Sequence, residues 1–206
     1  MQTEFVKIAD NLPGAEGPVF DSEGNFFMVI PDRGQVVRVT EDGRVAELAN
    51  TGGIPAGLQC DPAGNLWLAD MKLGILKVSP SGQVEHIVAE YGGQPMRGCN
   101  DCAFDTQGNL YCTAPAGSGA QAPVGEVYCL LHDGSMTRLD GGFQFCNGIA
   151  VTADDRTLIV AETMTRSLWA YDITTPGVVH NKRLWAKMPN DLGLGPDGMD
   201  FDEEGY

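Results

Sequence analysis

The chain is poor in basic side chains and has no long apolar run. Only 13 lysine and arginine residues stand against 28 acidic ones in 206 residues, which gives a formal net charge of −15 at pH 7. A surface of that sign repels nucleic-acid phosphates and anionic lipid headgroups, so we expect neither nucleic acid nor a membrane as a partner. No stretch approaches the roughly 20 apolar residues of a membrane-spanning helix. The first residues lack a basic segment followed by an apolar one, so we expect no secretory signal and a cytoplasmic protein.

The sequence also lacks the 3.6-residue apolar period of an amphipathic helix, so we expect the protein to contain almost no helix. Its 27 glycines and 12 prolines suit many short strands joined by tight turns. The six cysteines fall mostly in strand-like apolar runs, which predicts reduced, buried thiols and no disulfides. A single CxxC spacing, at Cys99 and Cys102, supplies too few ligands for zinc.

The chain contains a hairpin that recurs along its length. The hairpin turns align on Gly24, Gly64, Gly108, Asp155 and Gly205, with spacings of 40, 44, 47 and 50 residues. Each copy has a short apolar strand, a turn rich in aspartate, glycine and asparagine, and a second apolar strand, and two further strand-like runs follow each of the first four copies. Four antiparallel strands per unit predict the blades of an all-β fold, a β-propeller.

Four full blades and the start of a fifth are present. A radial fold exposes strand edges until its ring closes, so we expect residues 1–206 to be a single, incomplete β-propeller domain, part of a longer propeller. A closed ring of four blades is the alternative. The sequence leaves the oligomeric state undetermined.

The repeat predicts a metal site. Eight positions before each aligned turn residue, where the innermost strand of a blade begins, stand Glu16, Ala56, Asn100, Asn147 and Asp197. Equivalent positions of different blades converge on the central channel. Four oxygen-bearing side chains meeting there need a cation to offset the cost of burying them, and oxygen ligands alone indicate calcium. The alternative is that these side chains only cap turns at strand entry.

Five positions before the turn residues, the innermost strands carry mostly small apolar side chains. The exceptions are Gln59 and Asp200. We expect Gln59 to face the channel and contact substrate. Asp200 suggests a second cation, with a simple turn contact as the alternative.

Several segments that run in order through the chain are more specific than the repeat. They read EGPVFD from Glu16, GCNDCAFD from Gly98, NGIAV from Asn147, LIVAET from Leu158 and DGMDFDE from Asp197. With these segments the chain resembles the senescence-marker/gluconolactonase/luciferin-regenerating-enzyme family of six-bladed calcium β-propellers. Such segments are far more specific than the propeller pattern, which many unrelated proteins share.

The resemblance implies a role for each matching residue. Glu16, Asn100, Asn147 and Asp197 would hold a catalytic calcium, with Asp197 also acting as nucleophile or as base. Asp200 would bind a second, structural calcium. The substrate pocket would be lined by Asp32, Gln59, Met71, Phe145 and Thr163. Two departures bear on the substrate: position 32 is aspartate where the family has glutamate, and the short loop 116–125 lacks the family's arginine.

The expected function is therefore a calcium-dependent hydrolase of phosphotriesters, phosphorofluoridates or lactones, with a small-molecule ester or lactone as its partner. A gluconolactonase-type sugar lactonase is one alternative. A non-catalytic propeller, in which calcium closes the channel and the protein binds a ligand or a protein partner, is the other.

Overall fold

The protein is almost entirely β-structure. The computed structural model describes residues 6–96, 98–190 and 193–202, and in that part of the chain the only helical element is a 3-10 turn at Pro31–Arg33. The strands are β1 Glu16–Phe20, β2 Phe26–Ile30, β3 Gln35–Val39, β4 Val45–Asn50, β5 Pro55–Cys60, β6 Leu66–Asp70, β7 Gly74–Val78, β8 Val84–Val88, β9 Glu90–Tyr91, β10 Gln94–Pro95, β11 Cys102–Phe104, β12 Leu110–Ala114, β13 Gly125–Leu130, β14 Met136–Phe143, β15 Cys146–Val151, β16 Thr157–Glu162, β17 Ser167–Thr175 and β18 Val178–Lys187.

Sixteen of these strands form four antiparallel sheets of four. Each sheet is built from strands that are consecutive in the chain, in the orders β1-β2-β3-β4, β5-β6-β7-β8, β11-β12-β13-β14 and β15-β16-β17-β18. The all-β architecture and the four full units predicted from the repeat are confirmed. The start of the fifth copy lies partly outside the described residues, since its turn residue is Gly205.

One small element was not predicted. Strands β9 and β10 form a separate two-residue hairpin between the second and third sheets. Its turn is Gly92-Gly93, and both glycines have positive φ, 61° and 76°. Two adjacent residues with φ above zero are what the tightest hairpin turns require, and glycine adopts that conformation without a steric penalty. Strands of two residues are too short to show the alternation by which longer strands are recognised.

The recurring aspartate and glycine of the repeat form the first turn of each sheet. In the third sheet, Oδ1 of Asp105 accepts hydrogen bonds from the backbone N–H groups of Gln107 (3.0 Å) and Asn109 (2.8 Å), and the Asn109 side chain donates back to the same carboxylate. Asp21 and Asp61 hold the first two turns in the same way. The side chain thus replaces backbone partners that a tight turn cannot supply.

The fourth copy of this turn departs from the pattern. Its aligned residue is Asp155, which adopts a positive φ of 57° where the three earlier copies have glycine at 79–82°. Aspartate tolerates that conformation better than most residues, and here its carboxylate accepts hydrogen bonds from the backbone N–H and the hydroxyl of Thr106 in the third sheet. The turn of the fourth sheet is thereby tied to its neighbour.

The hydrophobic core lies between successive sheets. In β6, Leu66 and Leu68 pack with the first sheet, whereas Ala69 belongs to the cluster shared with the third sheet. In β12, Cys112 faces the second sheet and Tyr111 faces the fourth. Because neighbouring residues of a strand point to opposite faces, each of the two middle sheets is buried on both sides. The four sheets therefore stack in series, as propeller blades do.

The cysteines contribute to these interfaces as free thiols. All six are unpaired, and only Cys60 is not fully buried. The predicted absence of disulfides is confirmed. No helix in the described part of the chain is long and apolar enough to cross a membrane.

The first strands of the sheets are adjacent to one another. Contacts join β1 to β5, β5 to β11 and β11 to β15. These four strands are therefore the innermost ones, and the positions that the repeat aligns on them come together at one end.

We expect removal of one buried turn carboxylate to destabilise the protein measurably. Asp105 is 7% exposed, so in Asp105→Ala the buried backbone and side-chain N–H donors of Asn109 lose their acceptor. The free energy of unfolding, measured by denaturant titration, should fall by about 1–3 kcal/mol. Asp21→Ala is the matched control. Its turn is more open to water, which can replace the lost acceptor, so the loss should be clearly smaller; equal losses would contradict this account.

Candidate functional site

A cavity of about 580 Å³ opens where the innermost strands begin. All five of the metal ligands predicted from the sequence line it, together with two of the predicted substrate-binding residues. Its lining consists of Glu16, Gly17, Pro18, Pro31, Ala56, Leu58, Gln59, Met71, Asn100, Asp101, Asn147, Asp197, Gly198, Met199 and Asp200. Glu16, Asp197 and Asp200 are exposed to it, and Asn147 is 6% exposed. Residues at equivalent positions of the repeat thus lie close together in space.

Irregular pairing marks the start of three inner strands. The register of β1 with β2 shifts between Glu16 and Val19, that of β5 with β6 between Pro55 and Gly57, and that of β15 with β16 between Cys146 and Ile149. A bulge turns a side chain away from the strict alternation of a strand. At these points it allows residues at equivalent positions to face the axis.

The side chain of Asn147 is oriented by a hydrogen bond from its amide nitrogen. Its Nδ2 donates to the Thr163 hydroxyl (3.2 Å), and that hydroxyl donates to the backbone oxygen of Pro196 (2.7 Å). Because Thr163 uses its only proton on Pro196, it can only accept from Asn147. The amide nitrogen therefore faces Thr163, which leaves Oδ1 as the atom available to the cavity.

The segment carrying Asp197 and Asp200 has no regular strand pairing and is held to β15. The backbone N–H of Gly148 donates to the carbonyl oxygen of Asp197 (3.2 Å). A side chain at position 148 would collide with that oxygen, so the approach requires glycine. Backbone N–H groups within the segment donate to the Asp197 and Asp200 carboxylates, from Gly198 (3.1 Å) and Phe201 (2.8 Å) respectively.

The carboxylates at the cavity destabilise one another's charge. The pKa of Glu16 is raised, first by loss of solvation and then by the nearby Asp197 charge. Burial raises the pKa of Asp101 to about 7, and the charges of Asp200 and Asp197 raise it further. Hydrogen bonds from the backbone N–H groups of Cys102 and Ile149 act in the opposite direction and lower this pKa. Raised pKa values of neighbouring acids indicate an excess of negative charge that a cation would offset.

The donor set fits a hard cation. Every predicted ligand offers oxygen, as carboxylate or as carboxamide, and calcium takes six to eight such oxygens in flexible geometry. Within residues 6–96, 98–190 and 193–202, no three histidine, cysteine, aspartate or glutamate side chains group closely enough to hold a metal by themselves. An ion held by the described side chains of this cavity would therefore need the amide oxygens of Asn100 and Asn147 as ligands. Among the described residues, the cavity lining contains no histidine or cysteine, so it does not suit a metal that prefers nitrogen or thiolate ligands.

The residues predicted to bind substrate fall into two groups. Gln59 and Met71 line the cavity beside the predicted ligands. Asp32, Phe145 and Thr163 are not among its lining residues. Asp32 is exposed in the 3-10 turn after β2, while Phe145 and Thr163 are half-buried behind Asn147. For these three residues, contact with substrate stays a prediction.

Asp101 is the site residue that sequence reasoning missed. It lines the cavity, and its Oδ2 accepts a hydrogen bond from the backbone N–H of Ile149 (3.2 Å) across the sheet boundary. A signal was present in the repeat. Seven positions before the turn residue, the other four copies have glycine (Gly17, Gly57, Gly148 and Gly198), and only the third copy has a side chain.

The chain is similar to known proteins over nearly its whole length. Residues 15–206 match the family model described as the SMP-30/gluconolactonase/LRE-like region. The diisopropyl-fluorophosphatase of Loligo vulgaris is 45% identical over 97% of this chain and 72% of its own length. The gluconolactonase of Zymomonas mobilis is 27% identical over 100% of this chain and 66% of its own length.

The fold is also shared with a solved structure. A gluconolactonase from Xanthomonas campestris superimposes with a TM-score of 0.80 at 24% identity, and the match covers 93% of this chain and 67% of that one. The family predicted from the motifs is therefore confirmed, and the site residues proposed from the repeat lie within the matched region. The chain belongs to the SMP-30/gluconolactonase/LRE-like family.

Proposed function

We propose that this protein is a calcium-dependent hydrolase of small esters, either phosphotriesters and phosphorofluoridates or lactones. The observation that supports it most directly is that one cavity is lined by all five oxygen-bearing side chains predicted as ligands, Glu16, Asn100, Asn147, Asp197 and Asp200. The relatives named above are hydrolases of these two substrate classes. Because the chain spans 72% and 66% of their lengths, the activity of the whole protein is part of the proposal. Location in the cytoplasm is a prediction from the sequence alone.

Four residues would hold the catalytic ion: Glu16, Asn100, Asn147 and Asp197. Asp200, three residues beyond Asp197, would serve a second, structural ion. A bound calcium would supply positive charge that polarises a phosphoryl or carbonyl oxygen. The amides of Asn100 and Asn147 would contribute oxygen without adding to the negative charge of the cavity, so that Glu16 and Asp197 would be the only charged ligands of this ion.

Asp197 is the proposed catalytic carboxylate. It is exposed to the cavity, and its backbone oxygen is fixed by the N–H of Gly148. As a nucleophile, one carboxylate oxygen would bond to phosphorus or to the acyl carbon while the leaving group departs, and water would later cleave that bond. As a base, the carboxylate would take the proton of the attacking water. Both roles require an ionised Asp197 next to the substrate.

Gln59 and Met71 would form the part of the pocket that contacts substrate. Met71 supplies an apolar, adaptable surface, and Gln59 supplies one amide for hydrogen bonding. Asp32, Phe145 and Thr163 do not line the cavity. They would contact substrate outside the cavity, or would act through the residues that line it. The proposed natural substrate is a sugar lactone or another lactone. A phosphorofluoridate is proposed as a further substrate, because its hydrolysis resembles that of a lactone.

Chelation should remove activity and calcium should restore it. Hydrolysis of a phosphotriester panel and a lactone panel by the full-length protein would be followed before chelation, after it, and after addition of calcium or magnesium. We expect recovery with calcium and little with magnesium, because magnesium demands near-octahedral geometry and dehydrates reluctantly. Full activity after chelation would contradict the calcium requirement, and calcium binding without turnover on any ester would indicate a non-catalytic propeller.

Replacement of Asp197 by asparagine should separate catalysis from ion binding. Asp197→Asn keeps an oxygen donor of the same shape but cannot attack or accept a proton, so kcat should fall by about 10²-fold or more. Calcium affinity, measured by titration calorimetry, should fall far less. The matched control is Asp200→Asn, which should lower the number of bound ions or the melting temperature while turnover persists. Normal turnover by Asp197→Asn would exclude the proposed role.

Truncation of Met71 should change substrate preference without affecting the ion. Met71→Ala removes apolar surface from the cavity wall, so KM for bulky phosphotriesters should rise by about tenfold, while that for a small lactone changes less. Calcium affinity should remain at the wild-type value. Asp32→Ala is the comparison, and because Asp32 does not line the cavity its effect on KM should be smaller. An equal effect of both variants would show that the substrate pocket extends beyond Pro31 to the side chain of Asp32.

A further inference from the structure

We propose that the hydroxyl of Thr113 is a positioning group that fixes the spacing between Asn100 and Asn147, and thereby sets the affinity of the site for calcium. This inference rests on the calcium-dependent function proposed above and adds a residue that does not touch the cavity. Thr113 lies in β12 and has no exposed surface. Its effect on the ion would therefore pass through the residues to which it is hydrogen-bonded.

The side chain of Thr113 joins two sheets. Its Oγ1 donates to the backbone oxygen of Asn147 in the fourth sheet (2.6 Å) and accepts from the backbone N–H of Asp101 in the third (3.1 Å). A hydroxyl has one proton to give and lone pairs to accept with, so this single group satisfies both partners. A side chain of the same shape without the hydroxyl would leave a buried donor and a buried acceptor without partners.

The backbone of Thr113 reinforces the same contacts. Its carbonyl accepts from the N–H of Asn100 (2.9 Å), and its N–H donates to the carbonyl of Asp101 (3.0 Å). The regular ladder between β11 and β12 starts only at Cys102. Asn100 and Asp101 precede that ladder, so three hydrogen bonds to Thr113 attach the segment that presents Asn100 to β12, in addition to the bond from Ile149 to the Asp101 carboxylate.

Asn147 is then fixed from two directions. Thr113 binds its backbone oxygen, and Thr163 binds its amide nitrogen. The next residue, Gly148, donates to the carbonyl oxygen of Asp197. A continuous set of hydrogen bonds therefore leads from Asn100 through Thr113 to Asn147, and on to the segment of Asp197. Displacement of one ligand would be transmitted to the others.

The repeat shows that the hydroxyl is not required by the fold. Five positions after the aligned turn residue, the other described sheets have Val29, Ala69 and Val160, and all three are fully buried. The same place in a propeller sheet is therefore filled by an apolar side chain in three cases. Among these four sheets, a hydroxyl occurs here only in the sheet whose inner strand is directly preceded by Asn100 and Asp101. This points to a requirement of the site, not of the strand.

The test compares Thr113→Val with Thr113→Ser in the full-length protein. Valine keeps the shape and removes both hydrogen bonds, whereas serine keeps the hydroxyl and removes a methyl group. We expect calcium affinity, measured by titration calorimetry with the metal alone, to fall by about 10-fold to 100-fold in Thr113→Val. Thr113→Ser should stay within about threefold of the wild type. Should Thr113→Val fail to fold, Thr113→Ala removes the same hydroxyl and replaces it in the comparison.

A matched control separates positioning from stability. Val160→Ala destabilises the equivalent position of the fourth sheet and touches none of the proposed ligands, so it should lower the melting temperature of the calcium-free protein without changing calcium affinity. Wild-type calcium affinity in Thr113→Val, or a fall of the same size in Val160→Ala, would overturn the positioning role and leave the proposed function intact. A wild-type protein that binds no calcium would overturn both.

Discussion

The burial of both faces of the middle sheets is the constraint on which the rest of the structure depends. A strand such as β6 or β12 has apolar side chains on both sides, so its sheet must be covered twice. Stacking in series satisfies that requirement and forces the innermost strands to lie side by side. Once they do, residues at equivalent positions of the repeat share one end of the axis. The cavity is therefore a consequence of how the sheets bury their apolar surface.

The same packing creates an electrostatic problem at the axis. Burial raises the pKa values of Glu16 and Asp101, and the nearby charge of Asp197 adds to both shifts, with that of Asp200 adding to the shift of Asp101. Two further positions are asparagines, which add oxygen without charge. This mixture balances two needs, since four carboxylates around one ion would repel one another in its absence and four amides would bind it weakly.

Orientation of the ligands depends on groups that lie behind them. A carboxamide has a donor end and an acceptor end of nearly equal shape, so only its partners decide which end faces the cavity. At Asn147 the orientation of the amide is set by Thr163, because the Thr163 hydroxyl already donates its proton to the backbone oxygen of Pro196. The Thr113 hydroxyl likewise positions the backbone of Asp101 and of Asn147, which lie on either side of the boundary between the third and fourth sheets. The fully buried Thr113 and the half-buried Thr163 thus connect the hydrophobic core to the polar site.

The sequence by itself determined the all-β fold, the four sheets, their turns and the set of oxygen-bearing residues at the axis, because all of these follow from a period that is visible in one dimension. It also indicated the family, through segments such as the one beginning at Gly98. Only the tertiary structure decided which residues share the cavity wall: it placed Gln59 and Met71 there and Asp32, Phe145 and Thr163 outside its lining, and it added Asp101. The physical reason is that a repeat fixes the position of a residue along its strand, whereas the hydrogen bonds from Thr113 to Asn147 and from Thr163 to Pro196 join residues that are far apart in the chain.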